Sequence, residues 1–78
     1  MIEMLSGRDA ALLRAVAGGR CELEQGPMPI LYVDGRMFCD TAAAQRLVLA
    51  GLVAAPERER RRVPARLTDA GRAELRAA

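Results

Sequence analysis

Apolar positions along this chain switch between helical and strand-like spacing, and each switch marks an element. In "LSGRDAALLRAVAGG", Leu12, Leu13 and Val16 share one helical face. Ser6 is placed to cap the first turn, and Asp9 at the third helical position suits the positive end of the helix dipole. Gly18 and Gly19 end the helix, because a left-handed terminal residue is least strained as glycine. The next stretch, "RCELEQGPMPILYVDGRMFCD", has no helical period and reads as strand and turn. Within it "ILYV" and "RMFC" flank Asp34-Gly35, a type I′ hairpin signal that pairs Val33 with Arg36, Tyr32 with Met37, Leu31 with Phe38 and Ile30 with Cys39. Leu31 and Phe38 then share one face, and Ile30, Tyr32, Met37 and Cys39 the other. Both faces are apolar, so the second is expected to meet another element or another chain.

Asp40 is placed to cap a second helix, "TAAAQRLVLAG", with Ala44, Leu47 and Val48 inward and Ala42, Gln45, Arg46 and Leu49 outward. Gly51 supplies its stop. "LVAAPERERRRVPARLT" has short apolar ends around a charged middle, which predicts a second hairpin with strands near 52–55 and 63–67. Thr68 caps a last helix, "DAGRAELRAA", where Asp69 again suits the dipole. The expected fold class is α+β, a single domain over residues 1–78 in the order α-ββ-α-ββ-α.

Composition narrows the chemistry. Leu, Ile, Val and Phe total only 18 of 78 residues while Ala contributes 15, so the core is modest and dimerisation through leftover apolar surface would strengthen it. The chain has no histidine, and its one serine is already assigned to a cap, which argues against nucleophilic catalysis. The pairs Glu22/Glu24 and Glu57/Glu59 have the spacing of a solvated strand face, and "AGGR" lacks the glycine spacing and lysine of a phosphate-cradling loop. The expectation is a protein without enzymatic activity, cofactor or metal. Cys21 and Cys39 read as reduced thiols of a cytoplasmic protein, bridged only if their strands are neighbours. No apolar stretch approaches the length of a membrane span.

Charge is distributed unevenly. Residues 1–40 hold four arginines against six acids and residues 41–78 eight against four, so the halves carry −2 and +4. Every positive side chain is an arginine, the residue best shaped for forked contact with phosphate or carboxylate. The run ERERRR, Glu57 to Arg62, lies at the tip of the second expected hairpin. Three readings stay open for it: a solvated tip, a nucleic-acid contact extended by Arg66, or a dock for an acidic protein surface.

From Asp40 to Leu75 the chain runs through a helix ending "RLVLAGLVAA", a charged hairpin, then "RLTDAGRAEL". This order resembles the C-terminal half of winged-helix regulators, above all the MarR-like group: recognition helix, "GLV" strand, Arg-rich wing and an "LT..GR..L" helix start. The matching residues are Gly51-Leu52-Val53, Arg58 to Arg62, and Leu67-Thr68 with Gly71-Arg72 and Leu75. "DGRMFCD" before an Ala-rich helix is also similar to short actinobacterial-type proteins, a likeness that assigns no activity. The chain departs from the winged-helix pattern in having the "PILYVDGRMFCD" hairpin where a further helix and tight turn normally precede the recognition helix.

The resemblance implies a small winged-helix-like domain that binds double-stranded DNA in transcriptional control, as a homodimer. Thr41, Ala42, Gln45 and Arg46 would face the groove, with Gln45 suited to adenine and Arg46 to guanine. Arg58, Arg60, Arg61, Arg62 and Arg66 would contact phosphates. The alternative is a protein-interaction or dimerisation module on the same scaffold, using Tyr32, Met37 and Leu49.

Overall fold

The computed structural model describes residues 6–55 and 61–77. Its order is α1 (Gly7–Ala17), β1 (Cys21–Glu24), β2 (Ile30–Val33), β3 (Arg36–Met37), α2 (Thr41–Leu49), β4 (Val53–Ala54), β5 (Val63–Pro64), β6 (Arg66–Leu67) and α3 (Asp69–Ala77). The α+β class of the sequence reading holds, with three helices and antiparallel sheet. The order differs in two places. Residues 21–24 form a strand of their own, and the segment after the charged run is split between two partners.

That split follows from what the chain must satisfy. Val63 and Pro64 pair with Leu23 and Glu22, extending a four-stranded sheet of order β3-β2-β1-β5. Two residues later Arg66 and Leu67 pair with Ala54 and Val53. Ala65, 6% exposed, sits at the crossing and donates its N–H to the Cys21 carbonyl at 3.0 Å. Pro64 is tolerated because it lies on an edge strand, where its missing N–H breaks no ladder.

Local signals act as read. The Ser6 hydroxyl accepts from the Asp9 N–H at 3.0 Å, the Asp40 carboxylate from the Ala43 N–H at 3.1 Å, and the Thr68 hydroxyl from the Gly71 N–H at 3.0 Å. Asp34 and Gly35 both adopt positive φ, 52° and 81°, the type I′ requirement. Tyr32 faces Met37 and Val33 faces Arg36, and the Phe38 N–H reaches the Leu31 carbonyl. The turn is pinned from the residue before β1 as well: Arg20 pairs with Asp34 at 2.6 Å and holds that carboxyl below its ordinary range.

One core results. Leu12, Leu13 and Val16 of α1, Leu23 and Leu31 of the sheet, and Leu47 of α2 are all nearly inaccessible. α3 closes it with Leu75, and Gly71 is the point of closest approach. A Cβ at Gly71 would lie 2.1 Å from the Leu52 carbonyl oxygen. Cys21 is buried and Cys39 exposed, both free thiols, with β2 between β1 and β3; burial pushes the Cys21 thiol upward in pKa. Among the described residues no helix is long and apolar enough to cross a membrane.

Candidate nucleic-acid interface

The candidate surface is built by α2 and the segment that follows it. Asp40 fixes the start of α2 by accepting the Ala43 N–H, and Arg8 of α1 reaches the same carboxylate at 3.0 Å. Those two contacts hold the Asp40 carboxyl below its ordinary range, the backbone bond more strongly than the arginine. Ala43, Ala44 and Leu47 are buried, so the outward arc is Thr41, Ala42, Gln45, Arg46 and Leu49. Gln45 is half-buried within it, and Leu49 is 79% exposed. Gly51, at φ 77°, turns the chain out of the helix, and Val53 enters the hairpin stem two residues later.

The structure gives the arginines unequal roles. Arg46 is committed: its Nη2 donates to both Asp9 carboxylate oxygens, at 2.7 and 2.9 Å. Among the described residues Asp9 is the one charged residue that is buried, at 7% exposure, and this pair ties α1 to α2. The sequence reading placed Asp9 only at a helix dipole. An acid on the inward side of α1, one position before buried Ala10, was the available hint.

Arg62 is committed as well. Its guanidinium lies 4.5 Å from the Tyr32 ring centroid, and its Nε is 3.2 Å from Glu22. The Tyr32 hydroxyl donates to Glu24 at 3.2 Å. Stacking over an aromatic face and pairing with a carboxylate suits guanidinium, and it anchors the end of the charged run to the outer face of the sheet. Tyr32 is thus half-buried under Arg62, while Met37 beside it is 58% exposed.

Arg61 and Arg66 are exposed. Arg66 and Arg72 line one open cleft of about 440 Å³ with Ala54, Thr68 and Asp69. Arg72 itself is held by Asp69 and by the Leu67 carbonyl. Arg58 and Arg60 lie outside the described residues. The structure therefore brings together Thr41, Ala42, Gln45 and Leu49 on one helix face and puts Arg66 on the strand paired with β4, whereas Arg61 and Arg62 lead into β5 and Arg62 packs on the four-stranded sheet.

A second cleft, of about 270 Å³, lies between α1 and the first hairpin, floored by Leu12, Ala15, Val33 and Phe38. Arg8 and Arg20 stand at it, and each is neutralised by its own carboxylate, Asp40 or Asp34. Comparison with protein-family models, curated proteins and solved structures finds no match for this chain.

Proposed function

We propose that this chain is a small winged-helix-like DNA-binding protein acting in transcriptional control. In this reading Arg66 of β6 and the arginines of the preceding run lie along the phosphates, and the outward arc of α2 meets the groove. One observation carries the reading: α2, with its exposed face, passes through Gly51 directly into β4, and the strand paired with β4 carries the exposed Arg66. This happens in the half of the chain that carries +4. Arg61 and Arg66, with Arg58 and Arg60 of the same run, supply the phosphate contacts, whereas Arg62 holds the strip to the sheet.

Fluorescence anisotropy with random duplex DNA at several salt concentrations tests the proposal. Each phosphate neutralised on duplex DNA contributes about −0.9 to the slope of log affinity against log salt. Replacing Arg61 and Arg66 together with alanine should weaken binding on every sequence and flatten that slope by about 2. Undetectable binding at the lowest salt overturns the function, and an unchanged slope removes these arginines from it.

A second reading rests on Leu49 and Met37, large apolar side chains that are 79% and 58% exposed. In that reading they form a homodimer or protein-partner contact. Sedimentation velocity of Leu49→Glu should then show loss of self-association at concentrations where the parent chain is dimeric. A monomeric parent, or a dimer that survives both Leu49→Glu and Met37→Glu, removes these residues from a dimer interface.

A further inference from the structure

We infer that the outward face of α2 selects A·T-rich duplex DNA; this rests on the DNA-binding reading above and names its substrate class. The Asp9–Arg46 pair withdraws one base-reading side chain from this face. Guanine is read in the major groove chiefly by arginine or lysine, whose donors match O6 and N7. Arg46 is the one cation on α2, and its Nη2 is held on both oxygens of a carboxylate that is itself buried. Turning Arg46 toward a guanine would strip that carboxylate of its cation, and a buried charge left alone is costly.

The side chains that remain on the arc share one chemistry. Gln45 offers an amide donor and acceptor that match N7 and N6 of adenine. Thr41, Ala42 and Leu49 offer methyl groups, the partners suited to the thymine 5-methyl. The 79% exposure of Leu49 fits this role, since an apolar side chain in the groove gains only where the DNA edge is also apolar. Asp9 thereby acts at a distance as a specificity-determining residue: it touches no base, and it sets which base the helix can read.

The test uses the full chain and three duplexes of equal length: A·T only, G·C only, and the A·T duplex with uracil replacing thymine. The A·T duplex is expected to bind about tenfold more tightly than the G·C duplex, the scale of one or two good base contacts. Uracil removes only the major-groove methyl and should cost about threefold, and Gln45→Ala should lower the A·T preference further. Asp9→Ala releases Arg46 and should raise G·C affinity, narrowing the preference. Asp9→Asn, which keeps shape and removes the charge, serves where the alanine variant fails to fold. Equal affinity for A·T and G·C overturns the inference and leaves the phosphate-binding reading standing. A preference unaffected by uracil and by Gln45→Ala comes from the minor groove instead and also overturns it. Failure to bind any duplex overturns the parent reading and this one together.

Discussion

Gly71→Ala is expected to destabilise the fold by about 2–3 kcal/mol, the upper part of the usual range for overpacking. The sign is informative because alanine ordinarily favours a helix interior by about 1 kcal/mol over glycine. The new methyl would meet the Leu52 carbonyl oxygen at 2.1 Å and the Leu52 carbonyl carbon at 3.0 Å. These are backbone atoms, so no rotamer change relieves the clash. Leu52 cannot easily withdraw either: its N–H is bonded to the Leu47 carbonyl at 3.0 Å, and its carbonyl accepts the Thr68 N–H at 3.1 Å. Relief means moving α3 off the core. For a domain of this size 1 kcal/mol shifts Tm by about 4–8 °C, so thermal unfolding followed by circular dichroism should show a drop above about 10 °C. Gly7→Ala is the matched control, since a Cβ there meets nothing within 4 Å. A Gly71→Ala Tm equal to or above that of the parent chain would refute the close approach of α3.

The second large effect belongs to the Asp9–Arg46 pair. Truncating Arg46 to alanine should cost about 2 kcal/mol, because a hydrogen bond to a charged group is worth about 1.5–3 kcal/mol and the carboxylate left behind is buried. An exposed pair such as Arg8–Asp40 is worth less, typically about 0.2–1 kcal/mol. Asp9→Ala removes the buried charge together with its partner's reason to stay, so the Asp9→Ala, Arg46→Ala double variant should cost clearly less than the two single variants added. Urea unfolding of all four proteins measures that coupling. Simple additivity would mean that the contact contributes nothing to the fold. It also follows that weaker DNA binding by Arg46→Ala reports the integrity of the α1–α2 junction before it reports any base contact.

The parts legible in the sequence share a physical reason. Ser6, Asp40 and Thr68 cap helices through bonds to the N–H three residues on, and Asp34-Gly35 reverses the chain through its own φ values. Such features depend on the sterics of a few neighbouring residues, so a short window of sequence carries them. The same holds for the buried faces of α1 and α2, which follow from helical spacing.

Contacts between distant residues were not legible. Arg62 lies in a run of like residues, and nothing in "ERERRR" distinguishes the arginine that stacks on Tyr32 from its neighbours. Arg46 and Asp9 are 37 residues apart. β1 was masked by its own composition, since "CELE" alternates acids with only two apolar residues, and its pairing with Val63 and Pro64 spans a helix and a hairpin. The sequence by itself determined where the chain caps, turns and buries its helical faces, because those outcomes are set by local backbone geometry and periodicity. Only the tertiary structure decided that Arg46 pairs with Asp9 and Arg62 with Glu22, because that choice depends on which distant acids the folded chain brings within reach of each guanidinium.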